Sequence, residues 1–334
     1  MGNKKRLIAR IVGTGSYLPE RILTNADLEK MVETSDEWIV SRTGIAERRI
    51  AGAEEFPSTM GAEAARRALA DAGVQAGEVD LILVATLSPD FVFPSTGCLI
   101  QRAIGATAAA MDIQAACTGY LYALMLAKGM AESGLYQKIL VVAAEKLSAV
   151  TNYKDRSTCV LFGDGAAAAV VSLEGAGLEM TSVRLGADGE QAELLILPAG
   201  GSRKPASAET VVAGEHFIKM AGNEVFKHAV RRMEAACKEC LEGAGIAEAD
   251  VNWLVPHQAN ARIIEAIAKR FDHLSGDRIY KTVHKYGNTS ASSVGIALDE
   301  LRHKEGVASG ERVLLTAFGS GLTWGAALLT QRDA

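Results

Sequence analysis

Three residues carry the side chains best suited to covalent chemistry: Cys117, His257 and Asn288. Cys117 follows Met111–Ala115, which reads as a short buried strand. It precedes an apolar helix that opens at Gly119 and runs about three turns. A thiol at such a junction meets the positive end of the helix. That end lowers a thiol's pKa, and the thiolate is the nucleophile. The small neighbours Ala115, Ala116, Thr118 and Gly119 leave room for a substrate. Taken alone, the stretch suits a buried structural cysteine better; the rest of the chain reverses that reading. His257 stands at the end of the apolar run Val251–Val255, just before a helical pattern, which displays its ring at a strand end. Asn288 lies in Tyr286-Gly-Asn-Thr-Ser-Ala, where an Asn also suits a helix N-cap.

An internal repeat brings the three together. Residues 62–84 read as a helix, a glycine stop at Gly73 and a buried strand; residues 234–255 repeat that order around Gly245. Gly73 and Gly245 are 172 positions apart, as are Val79 and Val251. The same offset carries Cys117 onto Thr289, which precedes a second helix, Val294–Arg302. Lys138–Ala144 corresponds to Arg312–Phe318, now 174 apart. Each half is therefore a β/α unit, 1–174 carrying the cysteine and 175–334 carrying His257 and Asn288. Packed with pseudo-twofold symmetry, the two halves place their strand-to-helix turns around one crevice, where α/β sheets bind ligands.

Gly175–Val211 reads as the crossover between halves, with Gly200-Gly-Ser-Arg-Lys-Pro as an exposed loop. Phe162-Gly-Asp-Gly reads as a tight turn before the apolar strand Ala166–Leu173. Gly13-Thr-Gly-Ser imitates a dinucleotide loop, but Leu18 stands where the third glycine belongs, so no nucleotide site is expected there.

Composition narrows the class. The chain has 334 residues, 49% of them apolar, and a net charge of −5. That balance argues against a general nucleic-acid binder. The basic N-terminus is too short and too charged for a signal peptide, and no run approaches a membrane span. A soluble cytoplasmic protein is expected. Its five cysteines follow no framework spacing and read as reduced thiols. Cys237-Lys-Glu-Cys240 is a lone C-x-x-C inside a helical pattern, better suited to packing than to metal or redox work.

Seven motifs in order complete the pattern: Thr34-Ser-Asp-Glu-Trp-Ile-Val-Ser-Arg-Thr-Gly-Ile, Ala116-Cys-Thr-Gly, Phe162-Gly-Asp-Gly-Ala, Gly222-Asn-Glu-Val-Phe-Lys, His257-Gln-Ala-Asn-x-Arg-Ile, Tyr286-Gly-Asn-Thr-Ser-Ala and Ala317-Phe-Gly-Ser-Gly-Leu-Thr-Trp-Gly. Over nearly its whole length the sequence resembles the β-ketoacyl-acyl-carrier-protein synthase III family. The resemblance implies an α/β, thiolase-like fold with two duplicated halves in five αβαβα layers. It also implies a decarboxylative condensation of a short acyl-CoA, such as acetyl-CoA, with malonyl-acyl carrier protein, through an acyl-Cys117 intermediate. His257 and Asn288 would donate to the malonyl thioester carbonyl, and the backbone N–H groups of Cys117 and Ser320 would form the oxyanion hole. No metal or organic cofactor is required.

By the same resemblance, Trp38, Arg42 and Arg156 contact CoA, while Asn260 and Phe226 line its pantetheine tunnel. Phe93 reaches across a homodimer to cap the partner's acyl pocket. Arg262, Lys269 and Arg270, spaced as one helix face, would dock the acidic carrier protein together with Lys227 and Arg231. Thr118 and Tyr120 stand where relatives often carry Ser or Ala and Phe. Thiolases need a second catalytic cysteine, which the Gly319-Ser-Gly turn lacks. Plant-type polyketide synthases lack the Trp38/Arg42 segment. A secondary-metabolite relative, making alkylquinolones or polyketide starters, stays open at this stage. The other readings are a Cys-dependent thioesterase, a catalytically dead carrier-protein binder and a redox switch at Cys237 and Cys240.

Overall fold

A computed structural model describes residues 7–274 and 276–333. The basic stretch 1–6 lies outside the described residues. Nine strands form one mixed sheet: β1 (Arg10–Tyr17), β2 (Leu81–Ala85), β3 (Ala109–Ile113), β4 (Lys138–Glu145), β5 (Gly165–Ser172), β6 (Gly177–Ala187), β7 (Trp253–Pro256), β8 (Arg312–Gly319) and β9 (Thr323–Arg332). Their spatial order is β7-β8-β9-β6-β1-β5-β4-β2-β3. The order reads the same outward from the β6/β1 seam in both directions. β6 matches β1, β9 matches β5, β8 matches β4 and β7 matches β2. Even β3 has a trace of a counterpart, an isolated parallel bridge from Leu254 to Ile279.

Helices α2 (Pro57–Ala72) and α5 (Gly222–Ala244) occupy the two outer faces. Helices α4 (Gly119–Glu132) and α7 (Ser292–Glu300) pack between the two halves of the sheet. The result is five layers, αβαβα, with the largest apolar cluster in the middle around Tyr120, Leu124, Val294 and Leu298. The two glycine stops are local copies of each other. Gly73 and Gly245 end α2 and α5 at φ 64° and 67°, in the left-handed region that Gly enters without penalty.

Two elements differ from the sequence reading. Gly177–Ala187 is an eleven-residue strand inside the sheet, paired with β1 and β9, not part of a crossover. The strand read as Met111–Ala115 runs from Ala109 to Ile113 and lies at the sheet edge, with Met111 42% exposed. Gly13 and Gly15 fall inside β1. A Cβ at either would come within 2.6 Å of α2 atoms, so these glycines serve close helix–strand contact. The loop from Gly200 to Pro205 is exposed.

Candidate active site

The ends of β3, β7 and the loop before α7 converge on a cavity of about 710 Å³. Cys117, His257 and Asn288 all line it. They are only 7%, 3% and 6% exposed, so the cavity is their access to solvent.

Cys117 sits in a 3-10 turn, Ala116–Thr118, directly before α4. Ala116 takes φ 45°, an uncommon conformation for a residue with a side chain, and this sharp turn presents the thiol. Burial works against the helix end at this thiol. Burial pushes the Cys117 thiol up to about 12; a hydrogen bond from Ser290 pulls the other way, and Glu145 adds to the rise. Desolvation of a thiolate is the largest of these influences.

His257 follows β7, and its backbone N–H donates to Thr316 O at 2.7 Å. Burial holds its pKa down at about 3, so the ring is neutral. Nδ1 meets Ser293 Oγ at 2.6 Å. Gln258 braces the same strand end. Its Nε2 donates to Pro256 O at 2.6 Å and its Oε1 accepts from Thr282 N at 2.8 Å.

Asn288 is pinned on both sides. Its backbone N–H donates to Leu161 O at 2.9 Å, and its carbonyl accepts from Gly163 N at 3.0 Å. The turn Phe162-Gly-Asp-Gly therefore holds the asparagine loop. A Cβ at Gly163 would lie 2.3 Å from Tyr286 O, and the Asp164 carboxylate accepts from Ala51 N and Ser148 N. Asn288 Oδ1 accepts from Ser290 N at 2.9 Å. Asn288 lines the cavity, and an amide whose oxygen accepts still has its N–H groups to donate. Gly319, at the end of β8, closes on the nucleophile: a Cβ there would lie 2.8 Å from Cys117 N. Ser320 follows it, with its hydroxyl donating to Leu195 O.

The mouth lies between helix α1 (Asp36–Thr43), α5 and helix α6 (Ala261–Ala268). Trp38, Arg42, Phe226, Asn260 and Arg262 line it. Arg156 stacks over the Trp38 ring at 4.9 Å, and Arg262 over Phe226 at 5.5 Å. Asn260 caps α6 through Arg262 N and ties it to α1 through Arg42 O at 3.1 Å. Lys227 also lines the mouth, paired with Glu224 at 2.8 Å, and Arg231 is exposed on the same helix.

Other residues fall elsewhere. Helix α6 ends at Ala268, so Lys269 is its cap and Arg270 lies beyond it. Arg270 pairs with Glu234 and Glu248 at 3.1 and 3.0 Å. Phe93 is 84% exposed on a loop away from this chain's cavity. Thr118 turns from the cavity to Thr323 Oγ1, at 2.8 Å, and Tyr120 packs in the central layer beside Gly295. Cys237 and Cys240 lie on the buried face of α5, both with pKa raised by burial. Among the described residues no cluster of three His, Cys, Asp or Glu could hold a metal.

Two stretches match known family profiles: residues 111–189 match 3-oxoacyl-[acyl-carrier-protein] synthase III, and residues 241–331 match its C-terminal part. The chain is 59% identical over 331 residues to the β-ketoacyl-[acyl-carrier-protein] synthase III of Chlamydia pneumoniae, covering 98% of each. It belongs to the β-ketoacyl-acyl-carrier-protein synthase III family. Among solved structures, the synthase III of Aquifex aeolicus VF5 superposes with a TM-score of 0.88 at 46% identity, covering 96% of this chain and 99% of that one. The priming β-ketosynthase of the R1128 polyketide pathway superposes equally well, TM-score 0.89, but at 35% identity over 100% of this chain and 99% of that one. The synthase III fold is thus shared by both, while sequence identity favours the fatty-acid enzymes.

Proposed function

We propose that the protein condenses a short acyl-CoA with malonyl-acyl carrier protein, releasing CoA and CO2 and giving a 3-oxoacyl carrier protein. It is an acyltransferase, and the reaction starts fatty acid synthesis. The observation that carries this reading is one buried cavity lined by a thiol and two neutral N–H donors, Cys117, His257 and Asn288.

Cys117 attacks the acyl-CoA thioester and keeps the acyl group. The Cys117 and Ser320 backbone N–H groups receive the oxyanion; the close approach of Gly319 to Cys117 N supports this arrangement. The malonyl thioester then enters, and its carbonyl accepts from His257 and Asn288. Neutral donors suit this step. They stabilise the enolate left by CO2 loss without protonating it, and that carbanion attacks acyl-Cys117. Decarboxylation supplies the carbanion, so the scheme calls on no cofactor.

Trp38, Arg42 and Arg156 hold the CoA nucleotide, and Phe226 and Asn260 flank its pantetheine arm. Arg262, Lys227 and Lys269 present positive charge to the acidic carrier protein. The working form is a homodimer in which Phe93 caps the partner's acyl pocket. The exposure of Phe91, Val92 and Phe93 (58%, 90% and 84%) and the open edge of β3 support that reading. Free thiols at Cys98, Cys117, Cys159, Cys237 and Cys240 support a reducing, cytoplasmic setting. Among the described residues no helix is long and apolar enough to cross a membrane.

The deciding experiment incubates wild type and Cys117→Ala with acetyl-CoA, isobutyryl-CoA or octanoyl-CoA, with and without malonyl carrier. Intact mass, CO2 and carrier-bound product are followed. A Cys117-dependent adduct that becomes 3-oxoacyl carrier confirms the reading, and the fastest primer names itself. An adduct that only hydrolyses points to a thioesterase; absence of any adduct removes the nucleophile.

A further inference from the structure

Gln258 follows His257 and is 1% exposed. It stays out of the cavity wall, although His257 and Ala259 on either side both line it. Its amide carries two hydrogens and two oxygen lone pairs, and all four are used. Nε2 donates to Pro256 O at 2.6 Å and to Tyr280 O at 3.2 Å. Oε1 accepts from Thr282 N at 2.8 Å and from Val283 N at 3.1 Å. Every partner is backbone, so two carbonyls and two N–H groups fix which end of the amide is which.

The four bonds join two stretches of chain. One is the end of β7, which carries His257. The other is the approach to Asn288. Tyr280 N donates to Leu254 O at 2.9 Å, which lays this approach along β7. Thr282 then opens the short helical turn Val283–Tyr286, and its own side chain makes no cap. Gln258 supplies that cap by taking the Thr282 and Val283 N–H groups. Within the turn, Thr282 O accepts from Lys285 N and Tyr286 N, both at 3.1 Å, and Val283 O accepts from Gly287 N at 3.0 Å. Asn288 is the next residue. A continuous series of hydrogen bonds therefore runs from the residue after His257 to the residue before Asn288.

We propose that Gln258 is a positioning residue that sets the spacing between His257 and Asn288, the two donors assigned above to the malonyl thioester carbonyl. The proposal rests on that assignment. Gln258 touches neither substrate nor the reacting atoms; it acts through the two backbones it joins.

One carbonyl oxygen must receive both N–H groups at once, each at about 2.9 Å. His257 is anchored by Thr316 O and Ser293 Oγ, and Asn288 by Leu161 O and Gly163 N. Those contacts fix each donor to its own surroundings, whereas Gln258 fixes one relative to the other. A shift of about 1 Å between them releases one of the two hydrogen bonds, and misplacement of that size costs about 100-fold in rate. Acylation does not use this spacing, because Cys117 rides on the turn before α4 and against Gly319. The effect of Gln258 therefore falls on condensation.

The amide is hard to replace. Methionine fills a similar volume but leaves four buried backbone groups without their partner. Glutamate keeps the acceptor for Thr282 and Val283. It has a hydrogen for Pro256 O only when protonated; ionised, it sets a negative oxygen against two carbonyls.

The test compares Gln258→Met, Gln258→Glu and His257→Ala with wild type in separated half-reactions. Acylation of Cys117 by acetyl-CoA is followed by intact mass. CO2 and carrier-bound product are followed in single turnovers started from enzyme already acylated. Gln258→Met is expected to slow condensation about 100-fold while acylation stays within about threefold. Gln258→Glu is expected to condense best at about pH 5.5, and its rate relative to wild type to fall at least about tenfold by about pH 8.5, as the carboxyl ionises. It keeps part of the clamp, so it reports even where Gln258→Met folds poorly. An equal fall in both half-reactions overturns the proposal, since loose folding alone would give that. So do wild-type condensation rates in both variants, or a relative rate of Gln258→Glu that does not fall with pH. A His257→Ala enzyme that condenses like wild type instead removes the donor assignment beneath it.

Discussion

The Ser293 hydroxyl lies 2.6 Å from His257 Nδ1 and also accepts the Gln258 N–H at 3.3 Å. An oxygen already accepting from the backbone keeps its own hydrogen free to offer to Nδ1. That assignment leaves the proton on Nε2, the nitrogen that can face substrate. Ser293→Ala is therefore expected to lower the condensation rate about tenfold, with acylation of Cys117 little changed. Single-turnover measurements of each half-reaction check it.

His257 also shapes the acid limb of stability. Its folded pKa, about 3, lies below the ordinary value of 6.5. Between those values the unfolded chain binds the extra proton, so His257 makes stability fall as pH drops. Lowering pH from 6.5 to 5 costs wild type about 2 kcal/mol through this group alone. His257→Asn escapes that loss, so the stability gap between the two proteins should shift by this amount. Urea denaturation at the two pH values measures it.

Gly319 has no room for a side chain. A Cβ would meet Cys117 N at 2.8 Å and Cys117 Cβ at 3.0 Å. Backbone must move to admit it, displacing the nucleophile. Gly319→Ala is expected to cut acylation about 100-fold. Timed intact-mass analysis of the Cys117 adduct checks this, with the melting temperature recorded beside it.

Arg262 projects from the first turn of α6 at the mouth, over Phe226. Arg262→Glu reverses its charge and should raise KM for malonyl carrier about tenfold. It should also weaken the salt dependence of that KM. Steady-state assays at low and high ionic strength give both numbers.

Tyr120 is fully buried, and its hydroxyl has no hydrogen-bond partner among the described residues. Tyr120→Phe removes that unpaired group without opening a cavity. The variant should be more stable by about 1 kcal/mol. Equilibrium urea unfolding gives the difference.

Much of this architecture was legible because the repeat is spelled in residues that structure demands. Gly73 and Gly245 stop corresponding helices, and buried Val79 and Val251 lead into the strands that follow. That register was enough to bring Cys117, His257 and Asn288 to one crevice. Gly177–Ala187 was misread because its sequence is polar for a central strand. Its polar groups are matched across the ladder instead: Thr181 Oγ1 meets Thr330 Oγ1 at 2.9 Å, and Glu179 lies between Arg10 and Arg332. The exposure of β3 was hidden because an edge strand and a central one share the same apolar residues. The ion pairs of Arg270 were not legible because helical spacing says nothing of carboxylates brought in from α5 and beyond.

The mirrored strand order leaves one narrow seam. β1 and β6 share just two register pairs, Arg10 with Glu179 and Ile11 with Leu178, whereas β6 and β9 share ten. Little backbone ladder crosses the midline of the sheet. The two halves are riveted instead by the side chains of α4 and α7, the same helices that follow the turns carrying Cys117 and Asn288. Any loosening of that midline packing is therefore felt first where nucleophile and donor face each other, and any substitution that tightens it acts as a brace on the reacting groups.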